Sequence, residues 1–209
     1  MTEPRERIAR GDVNSEHLLH LFDDVESLAE TASDCLHEGW SAGEALLVVA
    51  RPQHWSAIAE GLESKGCRTD DVAAAGALTV LDAAGTLASF LRHGFPDRDL
   101  FFAKVGGVVH SLSSPGRRLR IYGEMVDILA ERRDLVAAEA LERLWNELAC
   151  TCSFTLLCGY AAIHFGDPKT SKALHAICGT HDRASSSPAD LLGTWLLAER
   201  HRTFHSEPS

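Results

Sequence analysis

The chain has 209 residues, of which 45% are hydrophobic and 24% charged, so it can bury the core of one globular domain and is neither a disordered chain nor a fibre. Thirty acidic against twenty basic residues give a net charge of −10, which argues against general binding to a polyanion. The charged start has no apolar stretch after it, and no run of 18 apolar residues exists, so neither an export signal nor a membrane span is expected.

Residues 1–14 are polar and are expected to form a flexible arm. The spacing of Leu18, Leu21, Phe22, Val25, Leu28 and Leu36 predicts a helix over 18–38, stopped by Gly39. The unbroken apolar run 45–50 predicts a strand covered on both faces. A helix over 52–65, a strand over 77–81 and helices over 85–93 and 99–111 follow. Next come a strand over 118–122, helices over 126–131 and 135–149, and a strand over 154–158. A helix over 169–179 closes the domain, taken as 15–183. Residues 184–209 read as a linker and a C-terminal helix and tail, with Leu191, Leu192, Trp195 and Leu196 on one helical face. That face must dock on the domain or on a partner, a second copy included.

Alternating strands and helices imply an α/β three-layer sandwich with a mostly parallel central sheet. In such sheets ligands bind beyond the C-terminal strand ends. That rule selects Arg51, His54 and Trp55 after the first strand, Asp82 after the second, and Tyr122, Glu124 and Asp127 after the third. After the fourth come Gly159, Tyr160 and His164. The segment following 45–50 has neither glycines nor a Gly-Lys-Ser/Thr run to cradle phosphates, so ATP or GTP hydrolysis is not expected, and no GxGxxG is present.

Glu124 and Asp127 share one helical face; the pair suits acid–base work or a cation, and equally an acidic first helical turn. Cys158, His164, Cys178 and His181 are metal-ligand types, with Cys178-x-x-His181 the tightest spacing and Cys150 and Cys152 nearby. The alternative is a set of buried thiols. His17 and His20 lack HExxH spacing and read as surface polarity; no GxSxG elbow is present. Six cysteines without an export signal place the chain in a reducing cytoplasm.

Four strings together resemble the MEDS domain, the methanogen/methylotroph, DcmR-type sensory domain: 120–129 around Tyr122-Gly-Glu124, 141–148, 154–160 and Ile177-Cys-Gly-Thr-His181. Segments 39–44 and 76–83 fit as well. The resemblance implies a RecA/KaiC-like core without its phosphate loop. It also implies a sensory role for small hydrocarbon-derived ligands, in a family often joined to a DNA-binding domain or a histidine kinase. Neither is expected in this chain, so a separate kinase or transcription-regulator partner is.

The sequence therefore reads as a non-catalytic, cytoplasmic sensor that touches neither nucleic acid nor membrane. Arg51 and His54 supply donors, Trp55 and Tyr122 apolar walls, and Asp82, Glu124 and Asp127 orienting carboxylates; no cofactor is fixed. The movable element is the helix over 188–200. Two alternatives stand beside it: a metal-, haem- or redox-sensing module on Cys158, Cys178 and His181, and an enzyme with Glu124 as general base.

Overall fold

The computed structural model describes residues 15–113, 117–167 and 170–204; the expected arm at 1–14 and the last five residues lie outside them. The chain opens with β1 (Glu16–Phe22), α1 (Val25–Ser41), β2 (Ala45–Ala50), α2 (Pro52–Ser64), α3 (Thr69–Ala74) and β3 (Leu78–Asp82). Next come α4 (Ala83–Ala88), a small hairpin of β4 (Leu91–Arg92) and β5 (Phe95–Pro96), and α5 (Arg98–Phe101). A π-helical stretch, Phe102–Gly106, carries α5 into α6 (Gly107–Leu112). Then follow β6 (Leu119–Gly123), α7 (Met125–Glu131), α8 (Leu135–Leu148), β7 (Phe154–Ala161) and a 3₁₀ turn, Ala162–Phe165. The chain continues through α9 (Ser171–Gly179), β8 (Arg183–Ser186) and α10 (Leu191–Phe204).

Six strands form one parallel sheet in the order β3-β2-β6-β7-β1-β8. Period-two alternation sends Leu46, Val48, Ala50 and Tyr122 to one face, against Leu28, Leu36, Ile58 and Leu62 of α1 and α2. Leu47, Val49, Ile121, Leu156 and Tyr160 go to the other, against Val126, Leu141, Trp145 and Ile177 of α7, α8 and α9. Two helical layers on one sheet make the expected three-layer sandwich. No helix among the described residues is long and apolar enough to cross a membrane.

The start of the chain departs from the sequence reading. Residues 16–22 form a strand, and the helix begins only at Val25, where Asp24 accepts the Ser27 amide at 2.9 Å. The i, i+3 spacing of Leu18 and Leu21 imitated a helix because an interior strand is apolar on both faces. His17 and His20, expected at the surface, are buried within it. Burial pushes the His20 pKa down, with Asp190 opposing. Gly39 does not stop α1; it sits within the helix where Arg120 crosses, and an added Cβ would lie 2.6 Å from the Arg120 Cβ. Gly43, at φ +77°, makes the turn out instead.

The linker expected at 184–188 is also corrected. Arg183–Ser186 form β8, which pairs with β1 from Leu18↔Arg183 to Leu21↔Ser186. Its polar, alternately exposed residues suit an edge strand. The helix after it docks on its own domain. Asp23 accepts the Leu192 and Gly193 amides at 2.8 and 3.0 Å, while the buried Asp190 accepts the Asp23 amide at 3.1 Å and the Ser27 hydroxyl at 2.5 Å. Leu192 and Leu196 pack into the core, whereas Leu191 and Trp195 of the same expected face are 77% and 52% exposed.

Gly193 is where α10 meets β1. An added Cβ would press on Ser186 Oγ and lie 3.2 Å from both the Leu21 Cβ and carbonyl oxygen. Gly193→Ala is expected to cost about 1–3 kcal/mol, and so to lower Tm by roughly 2–12 °C for a chain of this size. Amide exchange over 191–199 should rise with it. Unchanged Tm and exchange would show that α10 does not seat on β1 as described.

Candidate functional site

The strand order places a reversal between β2 and β6. From β2 the chain moves outward to β3 under α2; from β6 it moves the other way to β7 under α7 and α8. The two connections lie on opposite faces, and a reversal of this kind, here at the C-terminal ends of β2 and β6, is where α/β sheets form their ligand crevice. The residues that fill it are those that leave these two strands.

Arg51 follows β2 directly, and Pro52 starts α2 with its ring nitrogen at a position needing no amide partner. Glu124 follows β6, and its amide bonds the Val49 carbonyl at 3.1 Å, tying the two strand ends together. The fully buried Glu124 carboxylate accepts the Arg51 amide, in a short contact, His54 Nδ1 at 2.5 Å and the Tyr122 hydroxyl at 3.3 Å. Arg51 reaches across with its guanidinium to Asp127 Oδ2 at 2.6 Å and to Glu131 Oε2 at 3.0 Å. Asp127 Oδ1 accepts the Ala161 amide at the end of β7 at 2.8 Å, and His164 Nε2 stands 3.2 Å from it. Asp127 is therefore more than an acidic first turn: it stitches α7 to β2 and β7.

The electrostatics follow from burial and pairing. Burial alone would raise the Asp127 pKa; the His164 and Ala161 hydrogen bonds and Arg51 outweigh it and hold the carboxyl below its ordinary value. Burial, then the charges of Glu124 and Asp127, push the Tyr122 hydroxyl well up, so it stays a neutral donor.

Five of the seven sequence-selected residues meet here: Arg51, His54, Tyr122, Glu124 and Asp127. Two do not. Trp55 turns from the network and packs, partly buried, on the α1–α2 core. Asp82 caps α4 by accepting the Gly85 amide at 2.6 Å, because its strand lies beyond β2 at the sheet edge. Tyr122 is wholly buried and offers its hydroxyl to Glu124 rather than an open apolar wall. His164, singled out with the Cys/His set, belongs to the Asp127 end instead.

The Cys/His set itself is rearranged. Cys158 and His181 converge, joined by His17 of β1 and Glu142 of α8. Cys178 is buried in the core beneath α9, outside this group. Cys150 is exposed beside the Asn146 carbonyl.

The model of the family described as MEDS, the MEthanogen/methylotroph, DcmR Sensory domain, matches residues 16–182. The chain belongs to the MEDS family. No curated protein matches it significantly. The MEDS match starts with β1 and ends at Asp182, and these two ends clasp each other. The His17 amide bonds Asp182 Oδ2 at 2.8 Å, and the Asp182 amide bonds the His17 carbonyl at 2.7 Å. Both side-chain groups described above lie inside the MEDS match, while β8 and α10 lie beyond it as an edge strand and a docked helix.

Proposed function

We propose that this MEDS domain is a non-catalytic sensor that takes a small, polar-headed, hydrocarbon-derived ligand at the C-terminal ends of β2 and β6. It passes the signal to a separate regulatory partner, a histidine kinase or a transcription regulator. The observation that carries this reading is the convergence of Arg51, His54, Glu124 and Asp127 at the reversal of strand order.

The polar head competes for Arg51, whose bond to the largely exposed Glu131 is the cheapest to replace. Phe22, edge-on to the His54 ring at 6.2 Å between centroids, supplies apolar surface next to it. Arg51 belongs to the α2 layer and Asp127 to the α7 layer, so re-pairing Arg51 acts on how the two layers sit. A ligand shifts that balance only by as much as it prefers one arrangement. Both Glu124 oxygens are engaged by donors and the carboxylate is inaccessible, which suits a structural clamp more than a general base.

A panel of short-chain alkanols, alkylamines, haloalkanes and carboxylates, read by thermal shift, tests the site. A ligand at about a hundredfold excess over Kd should add about 2.7 kcal/mol to the stability of the wild type. Arg51→Met should abolish the shift. A shift of equal size in Arg51→Met would place the ligand elsewhere and overturn the assignment.

A further inference from the structure

We propose that His17, Glu142, Cys158 and His181 form a buried four-donor site for one borderline divalent transition-metal ion of the zinc class. The four come from β1, α8, β7 and the turn after α9, and their donor atoms all lie within 4.8 Å of one another. His17 Nε2 is 3.1 Å from Glu142 Oε2 and 3.3 Å from Cys158 Sγ. Cys158 Sγ is 3.4 Å from Glu142 Oε2, and His181 Nε2 is 3.3 Å from Glu142 Oε1. A tetrahedral ion with bonds of about 2.0–2.3 Å needs donors roughly 3.3–3.7 Å apart. Four of the separations, 3.1–3.4 Å, lie at or just under that range, and the widest is within 4.8 Å, so only small side-chain shifts separate the group from the geometry of such an ion.

The second observation is how the rings are held. His181 Nδ1 faces the Ile177 carbonyl at 2.8 Å, so in the neutral ring it carries the proton and leaves Nε2 with its lone pair turned inward. That Nε2 is fully buried and makes no hydrogen bond, although Glu142 Oε1 is close. His17 Nδ1 faces Asn146 Oδ1 at 3.1 Å, and the Asn146 amide nitrogen is fixed by the Thr180 carbonyl at 2.7 Å. His17 Nε2 therefore also turns inward. Tyr160 donates to Glu142 Oε1 at 2.7 Å and orients the carboxylate. Each ring has a partner on its outer nitrogen, the arrangement that metal-binding histidines use.

The donor types choose the ion. Imidazole and thiolate disfavour calcium and magnesium, and two nitrogens, one sulfur and one oxygen suit zinc and its neighbours. One carboxylate and one thiolate cancel a dication, so the loaded site is neutral within the core. The Cys158 proton leaves to solvent as the ion enters, and so does the Nε2 proton wherever His181 is an imidazolium. A cavity of about 650 Å³, lined by His17, Asn146, Thr180 and His181 among others, opens beside the group and gives a way in. The four residues lie on the α8 side of the sheet, apart from the Arg51 network, so this site and the strand-end site stand or fall separately.

The test uses the whole chain, stripped with a chelator and titrated with Zn²⁺ or Co²⁺ alone. One ion per chain is expected. The Co²⁺ form should show a thiolate charge-transfer band and the intense visible bands of tetrahedral coordination. Cys158→Ser should remove the charge-transfer band, and Cys178→Ser should leave it intact. Asn146→Ala should weaken binding by about 10–100-fold. A wild-type chain that binds no stoichiometric ion, or binds Co²⁺ without a thiolate band, overturns the proposal whether or not any variant folds. A band lost in Cys178→Ser and kept in Cys158→Ser overturns it as well.

Discussion

Glu124→Ala is expected to destabilise the chain by about 3–5 kcal/mol, the cost of stripping one partner from a buried charged group. The carboxylate is fully buried and holds three donors from two elements: the Arg51 amide, His54 and Tyr122. Alanine leaves all three without an acceptor and leaves Arg51 with one buried carboxylate instead of two. For a chain of this length that corresponds to a Tm drop of roughly 6–20 °C. Glu131→Ala is the control. It removes a partner from the same guanidinium, but its side chain is 62% exposed, so it should cost about 1 kcal/mol or less. Denaturant unfolding of the two variants beside the wild type decides the matter. Equal losses would mean that Glu124 is no clamp, and the strand-end network would lose its centre.

The strands legible in the sequence carry either an apolar run, as at 45–50, or a clean alternation, as at 118–122. Residues 45–50 and 154–158 are apolar runs because interior parallel strands are covered on both faces, and β2 and β7 sit inside the sheet. β1 sits inside as well, but His17 and His20 interrupt it, and its apolar spacing matches a helix over two turns. β8 was illegible because an edge strand of Arg-Ala-Ser-Ser has the composition of a linker. Only its pairing with β1 makes it a strand.

The candidate sites divide in the same way. Arg51, His54, Tyr122, Glu124 and Asp127 followed from one topological rule, and the structure brings them together. Asp82 obeyed the same rule and lies elsewhere, because the rule works at the reversal of strand order and β3 is outside it. The His17–Glu142–Cys158–His181 group had no local signature, since its members come from four separate elements. Cys178-x-x-His181 is close in sequence, but α9 aims Cys178 into the core while His181 joins Cys158, His17 and Glu142. One signal was available. Glu142 lies on the buried side of α8 beside Leu141, Trp145 and Leu148, and a charge in an apolar stripe must find its partner on another element.

That buried carboxylate sets the second large effect, a stability difference that depends on pH from both sides. Burial by itself pushes the Glu142 carboxyl up, but His181 and His17 outweigh it and hold the group well below its ordinary range. Burial pushes His181 down, and Glu142 outweighs it and leaves the ring above its ordinary value. A carboxyl depressed by folding contributes stability that is present above its unfolded pKa of about 4.3 and is lost as pH falls through the folded value. A histidine raised by folding contributes stability that is present below about 6.5 and is lost as pH rises through its folded value. In metal-free protein the gap between wild type and Glu142→Gln should therefore be widest between these limits, on the order of 3 kcal/mol, and shrink on either side. Asp127 gives the contrast. Its pKa is also held below the ordinary value, by hydrogen bonds from His164 and Ala161 and by Arg51, whose charge never titrates in this range. The Asp127→Asn gap should shrink on the acid side, and Arg51 should keep part of it in place at alkaline pH. Chemical denaturation of the three proteins from acid to alkaline pH separates the cases. A Glu142→Gln gap that stays level at alkaline pH would show that His181 does not hold the charge that keeps Glu142 ionised.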